Sequence, residues 1–189
     1  MERLARLVPA DLDAEARTLR DALVGSGRGD IVDPDGALVG PFNAWLHAPE
    51  VGLGLSSLGA TLRFGTSIER RLTEVAIITV GARWKAEFEF WAHARMARQH
   101  GVADAVIEAI AAGQVPLFDR RDEETVHAVA AQLVGSGRIE PATYQAAEEL
   151  LGRRGLVELV TLCGYYCLVS LTLNAFEVPL PPDVPARWS

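Results

Sequence analysis

The stretch KAEFEFWAH, residues 85 to 93, places two acidic residues and a histidine among bulky aromatic side chains. If the stretch is helical, Glu89 and His93 stand four residues apart on one face, where a carboxylate and an imidazole can hydrogen-bond or share a proton. Such a pair is either a surface salt bridge or an acid-base site. Glu87 lies outside this pairing and is predicted to be an ordinary surface residue.

Glu74, on the preceding segment, is the third candidate for acid-base chemistry. Segments 67 to 83 and 86 to 100 are joined by almost nothing, which predicts a tight antiparallel helical hairpin turning near Trp84. At about 1.5 Å of rise per residue, the residue level with Glu74 on the returning helix falls near His93. Apolar neighbours predict that the carboxyls of Glu74 and Glu89 are partly desolvated, which raises their pKa values. A nearby histidine opposes that rise. Opposed effects of this kind tune a general acid or base.

Composition restricts the classes of function. With 49% hydrophobic and 23% charged residues, the chain of 189 residues is expected to fold as a single domain with a sizeable core. The net charge of −7, without any basic cluster, argues against a nucleic-acid partner. The N-terminal stretch alternates charged and apolar residues, unlike a signal peptide, so we expect a cytoplasmic protein.

One segment, residues 159 to 173, contains no charged residue. It is shorter than the roughly 20 apolar residues that a membrane-spanning helix needs, so the prediction is a helix buried on all sides, in the core or at an oligomer interface, and no membrane. Cys163 and Cys167 lie one helical turn apart within it and are predicted to be reduced packing residues.

The remaining helical signals predict an all-α fold. Asp11 is the predicted cap of a first helix that ends at a turn of residues 25 to 29, and Thr66 or Ser67 is the predicted cap of the helix that carries Glu74. Residues 31 to 50 are rich in proline and are predicted to form an ordered loop that covers a pocket. Segments around Glu74 and Glu158 are weakly alike, which suggests two repeated helical units. Glu89, His93 and His100 do not make a compact ligand set, so no metal is expected.

At these residues the sequence resembles the carboxymuconolactone decarboxylase family, which includes the alkylhydroperoxidase D branch. The similar parts are RRLTEVAIITVGARW, AEFEFWAHARMARQHGV and the later CGYYCLVSLTLNAFEVPLP. The resemblance covers about residues 40 to 182, preceded by an N-terminal helix and loop over residues 1 to 39. It implies an alkylhydroperoxidase D-like helical bundle that assembles as trimers or hexamers, with sites near the subunit interfaces.

The resemblance also bears on the chemistry. The peroxidase branch uses a Glu, Cys-x-x-Cys, His relay, which would fall on Glu74, then Ala86 and Glu89, then His93. Because both cysteine positions lack a thiol, this chain is not expected to form the disulfide that peroxide reduction needs. The decarboxylase branch carries Glu and His without cysteines, as here, although Phe90 replaces the usual Trp of its E-W-x-x-H motif.

Two hypotheses follow. The first is a cofactor-free enzyme, a lyase or isomerase, in which His93 and Glu89 move protons at a carbon next to a carbonyl or lactone of a small-molecule substrate and Glu74 orients His93. Its expected substrate-binding residues are two arginines and four aromatic residues: Arg70, Arg71, Phe42, Trp45, Phe88 and Trp91. The second is a non-catalytic helical oligomer or small-ligand binder that kept the scaffold and lost the chemistry.

Overall fold

The computed structural model describes residues 3–27 and 31–188, and within these ranges the chain is all-α, as predicted. The described part contains no β-strand beyond one isolated bridge between Val32 and Leu38. Part of the predicted turn of residues 25 to 29 falls on residues 28 and 29, outside the described residues. The helices found in the described part are α1 Ala14–Val24, α2 Pro41–Leu46, α3 Pro49–Phe64, α4 Arg70–Arg83, α5 Glu87–Gln99, α6 Asp104–Ala111, α7 Arg121–Ser136 and α8 Pro141–Ala175.

Helices α4 and α5 form the predicted tight hairpin. Three residues, Trp84 to Ala86, connect them, and Lys85 adopts a left-handed conformation (φ 48°) that lets the chain reverse. The amide of Ala86 donates to the carbonyl of Gly81 at 2.9 Å and closes the turn. This reversal brings the middle of α5 against the first turns of α4.

Helix α4 is the central element of the core. Every residue from Arg71 to Gly81 is buried, and the helix packs against α5, α6, α7 and α8. A helix that is buried on all sides has no solvated face for its polar residues. The buried charged side chains of α4, Arg71 and Glu74, therefore need partners inside the protein.

Helix α8 consists of two helical segments that meet at Gly152, where the backbone leaves helical geometry. The kink lies at Gly152, whose φ of 65° suits glycine. Within one chain, residues 159 to 173 are not buried on all sides, because Val160, Leu168 and Leu171 face outward. The other predicted location, an oligomer interface, stays a prediction. Only one side of α8 packs on α4 and α7.

By length and composition alone, α8 also qualifies as a helix that could cross a membrane, and half of its most apolar window is buried inside the protein. The core helix of a soluble protein meets the same criterion, so this finding is weak support for a membrane span. The expectation of no membrane stays a prediction.

Several predicted boundaries are wrong for identifiable reasons. Asp13, not Asp11, caps α1, and its carboxylate accepts from the amide of Ala16 at 2.8 Å. Two prolines of the predicted loop begin α2 and α3, because the first turn of a helix does not need the amide that proline lacks. Ser67 does not cap α4, since its amide and hydroxyl both donate to Glu158 on α8.

Candidate active site

Three buried side chains from the α4–α5 hairpin form a continuous chain of contacts. His93 Nδ1 lies 2.6 Å from Glu74 Oε2 in a hydrogen bond, and His93 Nε2 lies 3.1 Å from Glu89 Oε1. The second contact is within ion-pair distance, although its angles are not those of a hydrogen bond. Glu74 is fully buried, and Glu89 and His93 are only 4% and 6% exposed. These three residues are called the relay below.

The relay follows directly from local geometry. The four-residue spacing within α5 stacks Glu89 and His93 on one face, and the antiparallel hairpin sets Glu74 opposite His93. The three side chains that the sequence singled out are therefore in contact.

Arg70 supports the far end of the relay. Its guanidinium lies 3.0 Å from Glu74 Oε1, one turn along α4, and also donates to the backbone carbonyl of Arg63 at 2.6 Å. Glu74 is thus held between an arginine and the imidazole of His93. Arg70 is already paired inside the protein, which leaves it poorly placed to bind a substrate.

The charges of the relay stabilise one another. Burial alone would lower the pKa of His93, but the charges of Glu74 and Glu89 outweigh burial and raise that pKa to about 9. Burial alone would raise the pKa of Glu74, but His93, Arg70 and Arg63 together hold it below its ordinary value. At neutral pH His93 is therefore an imidazolium beside an ionised Glu74.

A cavity of about 750 Å³ opens beside the relay, and Glu89 and His93 form part of its wall. It lies between α2, α5, α8, the loop before α2 and the segment of residues 178 to 182. All four aromatic residues predicted to contact a substrate line it: Phe42, Trp45, Phe88 and Trp91. Two aromatic pairs rigidify this wall through edge-to-face contacts, Phe42 with Trp45 and Phe88 with Trp91, at centroid distances of 5.3 and 5.5 Å.

Arg71 is not part of this cavity, and the suggestion that it binds substrate does not fit the structure. Its buried guanidinium pairs with Asp122 and Glu123 of α7, each at 2.6 Å, and with Glu69 at 3.2 Å. These contacts raise its pKa above the ordinary value for arginine, its hydrogen bond with Asp122 being the main cause. Arg71 faces α7 because it follows Arg70 by one residue and points about 100° away around α4.

Arg63 and Tyr166 are among the cavity residues that the sequence did not single out. The buried ring of Tyr166 stands edge-on to the His93 ring at a centroid distance of 5.0 Å, and burial raises its pKa well above the ordinary value, so the phenol is neutral. Its only signal in the sequence was a pair of tyrosines inside an apolar helix. Arg63 gave no signal beyond its place in the last turn of α3.

Among the described residues, no group of three or more His, Cys, Asp or Glu side chains is arranged to hold a metal ion. The expectation that neither a metal nor a cofactor is used stays a prediction.

No protein-family model matches this chain, and a search of curated proteins found no significant match. The resemblance to the carboxymuconolactone decarboxylase family therefore rests on the motif residues quoted above.

Proposed function

We propose that this protein is a cofactor-free enzyme of the carboxymuconolactone decarboxylase type, which decarboxylates or moves a proton on a small carboxylate, lactone or enone. The observation that carries the proposal is the buried relay of Glu74, His93 and Glu89 at the wall of an apolar cavity. The family resemblance supports the same reading, together with assembly as a trimer or hexamer and a cytoplasmic location.

Burying the charges of the relay costs free energy that a merely structural role does not require. A buried charge loses its hydration, and replacing a buried ion pair by apolar residues is often neutral or stabilising. Here several charges are gathered at one edge of a cavity, in a low-dielectric surrounding where their effect on a bound molecule is greatest. Perturbed titratable groups beside a cavity are typical of acid-base sites.

In a decarboxylation, the bond between the substrate carboxylate and its neighbouring carbon breaks, and CO₂ leaves. The electron pair stays on that carbon as an enolate, which then takes a proton. The imidazolium of His93 supplies this proton, directly from Nε2 or through Glu89, while the hydrogen bond to Glu74 keeps the ring oriented. Solvent returns the proton to the site after the product leaves.

In an isomerisation the same groups act twice. Glu89 accepts a proton from the carbon next to the carbonyl, and the proton returns at a different carbon of the enolate. Between the two steps, the positive charge of His93 stabilises the negative charge on the enolate oxygen. Tyr166, which stays neutral, presents a hydroxyl that can donate but does not ionise.

The alternative function is a non-catalytic binder of small ligands, and one observation favours it. The ionised Glu74 and the charged His93 already satisfy each other's charge, so the relay is stable without any reaction. A cavity of about 750 Å³ is also within the range that binds drug-sized ligands.

The test is solvent deuterium exchange and CO₂ release over a panel of 3-oxo acids, unsaturated lactones and enones. We expect the wild type to exchange or decarboxylate at least one class. Glu89→Gln and His93→Gln should each lose about 100-fold or more of that rate, while Glu124→Gln, an exposed residue of α7, should retain it. A folded wild type that binds panel compounds but neither exchanges nor decarboxylates any of them would support the binder instead.

A further inference from the structure

We infer that Arg63 is the anion anchor of the cavity, so that the preferred ligand is a bulky aromatic molecule carrying a single carboxylate. This inference rests on the proposed function, because it names the ligand class of the same cavity, and it narrows that class to carboxylates larger than a few carbon atoms. It differs from the sequence-based expectation, which named Arg70 and Arg71 as the substrate-binding arginines.

The other two arginines that line the cavity are either paired with carboxylates or exposed to solvent. Arg6 is paired with Asp33 and Asp35. Arg95 is exposed and stacks over the ring of Trp91 at 5.1 Å. Arg63 has no carboxylate within ion-pair distance among the described residues, and its one side-chain hydrogen bond there goes to the weak acceptor Met96 Sδ, at 3.4 Å. Its guanidinium also lies over the ring of Phe64, at 5.3 Å.

The Arg63 side chain has a hydrogen-bond donor without a partner. Its Nε atom is buried and has no hydrogen-bond partner within the described part of the chain. A guanidinium offers five N–H donors and no acceptor, and a buried donor left unpaired is costly. The Nε atom itself is closed off, but Arg63 is half-buried and lines the cavity, so a ligand carboxylate can accept from the terminal N–H groups of the guanidinium.

A second residue that lines the cavity also has an unpaired buried donor. Trp45 lines the cavity, and its buried Nε1 likewise has no acceptor among the described residues. Among the described residues that line the cavity, the unpaired buried polar atoms are thus these two donors and one acceptor, Glu89 Oε1, which already lies 3.1 Å from the charged His93 ring. Away from the relay, an anion or a carbonyl therefore suits this lining better than an ammonium group does.

The size and lining of the cavity define the rest of the ligand. About 750 Å³ exceeds what a small acid of a few carbon atoms fills, and the wall beside the relay is built from aromatic rings such as Phe42 and Phe88. Flat aromatic groups pack on such walls through stacking and edge contacts. A fused-ring monocarboxylate fits these requirements better than a small polyacid.

The test measures binding of 2-naphthoate and of its neutral analogue 2-naphthamide by calorimetry, with no turnover required. We expect the wild type to bind 2-naphthoate at least about tenfold more tightly than 2-naphthamide. Arg63→Met should abolish that preference while leaving 2-naphthamide affinity within about twofold, because Met keeps the apolar stem. Arg83→Met, at an exposed arginine of α4 away from the cavity, is the charge-matched control.

Equal affinity of the wild type for the two compounds, or no binding of either at millimolar concentration, would overturn the inference. So would an unchanged preference in a folded Arg63→Met. If that variant does not fold, Arg63→Lys serves instead, and we expect it to keep part of the preference, since it retains the charge without the planar fork. A failed turnover assay would leave this binding result intact, so the two proposals fail separately.

Discussion

His93 is held from both ring nitrogens by carboxylates that come from different parts of the hairpin. Glu74 contacts Nδ1 and Glu89 contacts Nε2. Because both contacts favour the charged ring, the proton on His93 is bound more tightly in the folded protein than in water. This coupling links the chemistry of the site to the stability of the core.

The stability of the protein should therefore fall as the solution becomes alkaline. The folded pKa of His93, about 9, lies above the ordinary value of 6.5, so the folded state binds the proton more tightly than the unfolded state. Its contribution is complete below about pH 6.5 and is lost as pH rises through about 9. Urea unfolding between pH 6 and pH 10 should show a loss on the order of 1 to 3 kcal/mol in the free energy of unfolding.

His93→Gln should remove this slope, whereas His127→Gln should keep it, because burial lowers the pKa of His127 and gives it the opposite sign. Parallel curves for wild type and His93→Gln would contradict the prediction.

The protein should show negligible thiol peroxidase activity. Cys163 and Cys167 are free thiols, and burial raises the pKa of Cys163 to about 12, so almost no thiolate forms at neutral pH. Neither Ala86 nor Glu89 can be oxidised in their place. Peroxide consumption with a dithiol reductant should stay at the background rate, and turnover that disappears in Cys163→Ser or Cys167→Ser would refute this.

At the scale of elements, helix packing depends on close approach at a few small residues. Gly52 in α3 is the clearest case, because a Cβ there would lie 2.4 Å from Leu19 Cδ2 of α1 and 3.1 Å from the Trp45 carbonyl of α2. Trp45 lines the cavity, so the packing of α3 on α1 and α2 also positions one wall of the site.

Gly52→Ala should destabilise the protein by about 1 to 3 kcal/mol, because the added methyl group overpacks the contact between helices. Gly54 is the matched control: it lies in the same helix, is exposed, and would have no heavy atom within 4 Å of an added Cβ. Gly54→Ala should instead stabilise by about 0.5 to 1 kcal/mol, since alanine is the better helix former. Equal effects of the two changes, measured by urea unfolding, would argue against the close contact.

At the scale of the molecule, the two ends of the described chain are held to other segments by polar contacts. Arg3 pairs with Glu177 after α8, and the backbone amides of Arg187 and Trp188 donate to Glu87 at the start of α5. The prediction that Glu87 is an ordinary surface residue is therefore wrong, since it is half-buried and anchors the C-terminal segment. Residues around Asp33, after α1, and around Pro179, after α8, also line the cavity.

The protein should assemble as a homo-oligomer through α8. Its outward side carries a stripe of exposed apolar residues at helical spacing, Val157, Val160, Leu168 and Leu171, beside the open Gly164. Burying this stripe against a second copy removes apolar surface from water. Light scattering at micromolar concentration should report a mass above that of one chain, and Val157→Glu combined with Leu171→Glu should reduce it.

Leu117→Glu is the control, because Leu117 is 96% exposed and lies in the loop before α7, away from the stripe. A wild type with the mass of a single chain would refute the prediction.

The sequence by itself determined the all-α class, the α4–α5 hairpin and the meeting of Glu74, Glu89 and His93. Each of these depends on spacing within a helix or across a three-residue turn, so the information is local. Only the tertiary structure decided which arginines line the cavity, that Ser67 binds Glu158 instead of capping α4, and that one side of α8 is exposed. Those outcomes depend on contacts between segments far apart in the chain, where competing partners are equally allowed by local spacing and packing chooses among them.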